Sequence, residues 1–160
     1  MFRELRRNKQ LLSQEQSVSI LEKGTAGVLA LSGDEDYPYA VPISYVYNDN
    51  RIFFHSAVSG HKIDSVKRSD KASFCVIDRD CVVPEEYTTY YKSVIAFGRI
   101  RILTEDSEKN AAIQLLAKKY HPTHTPQGRN AAIAEAWPRM TLLELRIEHI
   151  TGKAARELMS

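Results

Sequence analysis

The stretch from Phe53 to Asp64 reads FFHSAVSGHKID, and the rest of the chain is read outward from it. Arg51-Ile52-Phe53-Phe54 is β-rich and follows the turn residues Asn48-Asp49-Asn50, so it reads as a strand. Ile63 and Val66 fall on one side of a short helix expected over Lys62 to Ser69. Between strand and helix lie Ser56, Ser59, Gly60, His61 and Lys62. A junction of this make-up suits a phosphate. Glycine lets the backbone come close, the first N–H groups of a helix lack internal partners, and Lys62 adds a full positive charge. An ordinary polar loop is the competing reading. A Walker loop is excluded, because the Gly-x-x-x-x-Gly-Lys-Ser/Thr spacing is missing.

Upstream, Ser13 and Gln16 match a capping box, opening a helix that runs to Lys23 and stops at Gly24. Thr25 to Ser32 reads as a first strand and Gly33-Asp34-Glu35-Asp36 as a turn. Tyr37 to Tyr47, YPYAVPISYVY, reads as a second strand. Proline cannot donate to a ladder, so Pro38 and Pro42 make this strand an edge, or bulged or broken. A break leaves free N–H and C=O groups between Val41 and Tyr45, able to meet the rim of a planar heterocycle.

Downstream, Lys71 to Asp78 is a fourth strand, followed by a polar loop through Pro84-Glu85-Glu86. Thr89 to Leu103 is a long fifth strand with Gly98 marking a bulge or bend. Asp106 to Tyr120 is a helix whose apolar face carries Ile113, Leu116, Ala117 and Tyr120. The run HPTHTPQG reads as a loop, Asn130 to Trp137 as a short helix, and Thr141 to Ile150 as a last, half-buried strand. Six short strands with one dry face argue for a closed antiparallel barrel, with a sandwich as the alternative. The fold class expected is mainly β, one domain over residues 1–160, with a few peripheral helices.

The gross numbers fit this reading. The 160 residues are 43% apolar and 26% charged, ordinary for a globular chain with its own core. A net charge of +2 is too small to call for a polyanion, so nucleic acid is not an expected partner. No apolar run approaches the ~20 residues of a membrane span, and the basic start MFRELRRNKQ has no apolar core behind it. Two cysteines, Cys75 and Cys81, suit a reducing compartment, so the cytoplasm is expected. His121 and His124 are three apart, but no Cys-x-x-Cys accompanies them, and no metal is expected. No Gly-x-Ser-x-Gly elbow and no dinucleotide-binding glycine run occurs.

Three runs then carry a resemblance: Pro38-Tyr39-Ala40-Val41-Pro42-Ile43-Ser44-Tyr45, His55-Ser56-Ala57-x-x-Gly60-His61-Lys62, and Ser93-Val94-Ile95-Ala96-Phe97-Gly98. With Ile147-Glu148-His149-Ile150-Thr151-Gly152-Lys153, they resemble the nitroimidazole-resistance branch of the pyridoxamine 5′-phosphate oxidase-like flavoproteins. That resemblance implies a six-stranded split β-barrel, a homodimer, and FMN at the dimer interface, with FAD left open. It implies that Lys62, Ser56 and the amides near Gly60 hold the phosphate, and that Ala57 and His61 also belong to the cofactor site. Val41, Pro42, Ile43 and Ser44 would meet the flavin ring, and His55 would sit near the ring or the ribityl chain as the one candidate catalytic residue. Ser93 and Val94 would line the same cleft, and Trp137 and Arg139 would come from the partner subunit. The activity implied is a flavin-dependent reduction of a small acceptor, such as a nitroaromatic, by a reduced pyridine nucleotide. A non-catalytic flavin binder, or a haem binder using His55 or His61, is the alternative. The Trp- and Arg-rich ending that pyridoxamine-phosphate oxidases use for substrate is not recognisable here, which speaks against vitamin B6 oxidation.

Overall fold

The computed structural model describes residues 1–159. Helix α1, Gln14–Lys23, opens with the expected capping box: Gln16 N–H donates to Ser13 Oγ at 3.1 Å, and Ser13 N–H donates to Gln16 Oε1 at 2.9 Å. Strands β1 (Ala26–Ser32), β2 (Pro38–Ser44), β3 (Val46–Asn48) and β4 (Arg51–Ala57) follow. Then come α2 (His61–Arg68), β5 (Lys71–Val83), β6 (Thr88–Ile102), α3 (Asp106–Tyr120), α4 (Pro126–Ala136) and β7 (Met140–Ala154).

All seven strands form one antiparallel sheet in the order β2-β1-β5-β6-β7-β4-β3. Seven replaces the expected six because the stretch from Tyr37 to Tyr47 breaks into β2 and β3. The break falls at Tyr45 and not at either proline; Pro42 stays in register opposite Val28. The two edge strands of the sheet are thus joined through a single residue, so the chain itself pulls the edges together and curls the sheet into a split barrel. β2 is an edge strand, which is where proline is tolerated.

Tyr45 is fully buried at this seam, and its hydroxyl donates to the Leu21 carbonyl at 2.7 Å. The groups expected to be free at the break are taken at Tyr45. The Tyr45 N–H donates to Tyr120 Oη at 2.9 Å, and Tyr120 Oη lies 2.8 Å from the Tyr45 carbonyl and 2.6 Å from that of Thr25. A hydroxyl carries one proton, so Tyr120 donates to one of those two carbonyls at a time.

Inside the barrel, Phe74 meets Tyr45 and Phe54 edge-on, with ring centroids 4.7 and 5.1 Å apart. A second apolar cluster lies on the outer face of β3, β4 and β7, where Phe53 and Leu142 pack under Ala112, Ile113 and Leu116 of α3. This cover explains a departure from the half-buried pattern expected of β7: Leu142, Leu143 and Glu144 are all buried. Glu144 is paired by Arg101 Nε at 3.0 Å and Arg51 Nη1 at 3.5 Å.

Gly98 sits where the β6–β7 register shifts, as its position in a long strand suggested, and a Cβ there would run into the Arg146 carbonyl oxygen. Three boundaries differ from expectation. β7 does not stop at Ile150 but keeps pairing with β6 up to Ala154 opposite Lys92. β5 does not stop at Asp78; it passes a register shift between Ile77 and Arg79 and pairs with β6 up to Val83 opposite Thr88. α4 begins at Pro126, inside the expected loop, because Thr125 caps it: its hydroxyl accepts from Gly128 N–H at 3.1 Å, and proline suits the first helical turn. No helix among the described residues is long and apolar enough to cross a membrane.

Candidate functional site

The strand-to-helix junction after β4 makes the corner that its residues suggested. Gly60 precedes α2 with φ of 127°, a conformation that side-chain-bearing residues rarely adopt, and the space where its Cβ would stand is open. Lys62 Nζ donates to Ser56 Oγ at 3.2 Å. No carboxylate pairs with Lys62 among the described residues, and burial pushes its amine below the usual lysine range. His55 is held below its ordinary value by burial first and by the Lys62 charge second, which keeps the ring neutral at pH 7. The corner therefore offers one unpaired cation, a hydroxyl and the amino end of an eight-residue helix.

Helix α2 is fixed in place from its far end. Arg68 donates to Asp34 Oδ1 at 2.7 Å and to the carbonyls of Ser32 and Gly33 at 3.1 and 2.6 Å. The Arg68 hydrogen bond is the main cause that holds the Asp34 carboxyl below its usual range. His61 lies flat on Tyr39, with ring centroids 3.8 Å apart, and its Nε2 is 3.8 Å from Asp34 Oδ2. His61 thus docks α2 on the β1–β2 turn and on β2, while Lys62 faces Ser56.

A pocket of about 640 Å³ opens beside this corner, between the end of β4 and the helices α3 and α4. His55, Ser56 and Ala57 form one wall; His121, His124 and Arg129 belong to the other. Ser56 belongs to both the pocket and the Lys62 corner. The rings of His121 and His124 stack with centroids 4.4 Å apart. Ile113, Ala117 and Ile133 make much of the lining apolar, and no aspartate or glutamate lines it among the described residues. The α3–α4 wall was missed from sequence.

The remaining candidates scatter. Val41, Pro42, Ile43 and Ser44 lie on the edge strand β2. Ser93 is partly exposed on β6, opposite Ile77 and Lys153. Val94, its neighbour, is fully buried in the barrel core, so its side chain does not line a cleft with Ser93. Trp137 packs against the cluster under α3, with Lys109 Nζ 4.4 Å from its ring, beside the pocket rather than in it. Arg139 and Met140 line the pocket within this same chain.

One face of the sheet carries an apolar row open to solvent. Pro42, Val28, Cys75 and Ile95 sit side by side across β2, β1, β5 and β6. Val28 and Ile95 are exposed, and Ile77, two residues along the strand from Cys75, is 65% exposed.

The chain matches the pyridoxamine 5′-phosphate oxidase family over residues 13–154. It is 30% identical over 113 residues to an uncharacterised protein of Rhizobium meliloti (strain 1021), covering 68% of this chain and 70% of that one. Among solved structures it is similar to a candidate 5-nitroimidazole antibiotic resistance protein from Bacteroides thetaiotaomicron. That likeness has a TM-score of 0.76 and 18% identity, over 89% of this chain and 85% of the other. It is also similar to a FAD-binding protein from Mesorhizobium loti, with a TM-score of 0.65 and 23% identity over 91% and 97% of the two chains. At these identities the structural likeness speaks for the fold. The family match spans most of the chain, and the chain belongs to that family.

Proposed function

We propose that this member of the pyridoxamine 5′-phosphate oxidase family is a homodimeric flavin-binding oxidoreductase of the cytoplasm. The observation that carries the reading is the corner at Ser56, Gly60 and Lys62. An unpaired, partly buried ammonium beside a hydroxyl and a helix amino end fits a phosphate monoester. FMN is the first choice; FAD shares that phosphate, and the Mesorhizobium neighbour is a FAD-binding protein.

In this reading Lys62 and Ser56 hold the phosphate, and the open backbone before α2 lets it approach at Gly60. The free edge of β2 at Val41 to Ser44 offers backbone groups to the flavin ring. His55, neutral at pH 7, orients the ring or the ribityl chain. The uncovered apolar face around Val28, Ile77 and Ile95 meets a second copy of the chain, which would bury it. When bound, the flavin supplies electron transfer from a reduced pyridine nucleotide to a small acceptor, such as a nitroaromatic.

Anaerobic oxidation of NADH and NADPH by the flavin-loaded protein, with a 5-nitroimidazole as acceptor, tests the reaction. The reading expects turnover faster than with the same concentration of free flavin. A rate equal to free flavin leaves a flavin-binding protein without this activity.

A further inference from the structure

We infer that the pocket between β4, α3 and α4 recognises an anionic headgroup, carboxylate or phosphate, carried on an apolar body, and that Arg129 is the residue that reads the charge. Arg129 Nε donates to Gln114 Oε1 at 2.9 Å, and Gln114 is itself fixed by donating from Nε2 to Asn130 Oδ1 at 2.8 Å. The guanidinium is thereby held in one orientation. Its two terminal nitrogens have no acceptor among the described residues, and no carboxylate pairs with it there. Arg129 is partly exposed, at the pocket wall. The free end of the fork meets water until an anion displaces it, and a guanidinium matches two carboxylate or phosphate oxygens at once.

The rest of the pocket agrees. Arg139 is its other arginine, with Nη2 donating to the Glu135 carbonyl at 3.4 Å and lying 4.0 Å from Glu135 Oε1. With no acid on the lining among the described residues, the site leaves an incoming anion unopposed. Ile113, Ala117 and Ile133 provide apolar wall for a body, and about 640 Å³ lies within the size range of small-molecule sites. Calling the occupant a substrate rests on the flavin reading above; the binding itself does not.

The test is calorimetric titration of the purified protein, as isolated and again after loading with FMN, using 2-naphthoate and its neutral isostere 2-naphthamide. The inference expects naphthoate to bind at least about tenfold more tightly than naphthamide, the scale of a charge-assisted pair. Arg129→Met should bring naphthoate down to the level of naphthamide, and Arg129→Lys should fall between. Equal affinities for acid and amide in the wild-type protein overturn the inference, whatever becomes of the variants. So does an Arg129→Met variant that binds naphthoate unchanged. If FAD displaces naphthoate while FMN does not, the anion is the second phosphate of the cofactor, and the substrate assignment is overturned. A protein that takes up no flavin yet shows Arg129-dependent binding of naphthoate keeps this pocket and sinks the flavin reading.

Discussion

Lys62 Nζ stands 3.2 Å from Ser56 Oγ, across the loop that leads from β4 into α2. The two are six positions apart in sequence, and Gly60, with φ of 127°, lets the chain fold back between them. With no carboxylate partner among the described residues, Lys62 is set up to be neutralised by a ligand. Lys62→Ala should weaken FMN binding by ~1.5–3 kcal/mol, and Ser56→Ala by ~0.5–1.5 kcal/mol, the scales of charged and neutral hydrogen bonds. Titration followed by flavin fluorescence measures both. Unchanged affinity in the lysine variant would move the phosphate elsewhere.

The barrel seam makes a prediction of its own. Tyr120 reaches Tyr45 from 75 residues away and satisfies its N–H. Tyr120→Phe leaves that donor without a partner and should cost about 1–3 kcal/mol of stability in urea denaturation. A variant as stable as the wild type would mean that water replaces the hydroxyl at no cost.

How much of this was legible in the residues depends on range. The Ser13–Gln16 capping box, the α3 limits and the Gly98 bulge are local signals, and each appears as read. Proline in a strand correctly marks β2 as an edge. The Tyr120–Tyr45 bridge is a long-range contact with no local trace, so the break in the second strand was placed without it. The resemblance implies one cleft for Ser93 and Val94, but neighbours on a strand point to opposite faces, and the structure sends Val94 into the core. The wall of His121, His124 and Arg129 has no local signal, because it is the packing of α4 beside α3 that brings Arg129 to the pocket. Thr125 followed by Pro126 signals only the start of α4.

His55 gives a pH dependence with a definite sign. Its value in the folded protein lies below its ordinary one, so the unfolded chain takes up the proton first as pH falls. The flavin-free protein should lose stability from about pH 6.5 down to the lowered His55 value, and change no further through this group below it. His55→Gln should flatten that part of the profile in thermal melts at a series of pH values. Parallel profiles for the two proteins would show that His55 does not carry the effect.

The uncovered sheet face predicts an assembly. Ile77→Glu and Ile95→Glu each place a charge on that face, and each should convert a dimer to a monomer in light scattering at micromolar protein. A wild-type protein that is already monomeric, with flavin bound, would contradict the shared interface.

The central claim is that the corner at Lys62 holds a flavin phosphate. The most direct measurement is the absorption spectrum of the purified protein, followed by mass spectrometry of whatever heat releases. The account predicts flavin bands and the mass of FMN, or of FAD, or else the appearance of those bands when flavin is added to colourless protein. A Soret band in place of flavin, or a colourless protein that binds neither FMN nor FAD, would contradict it.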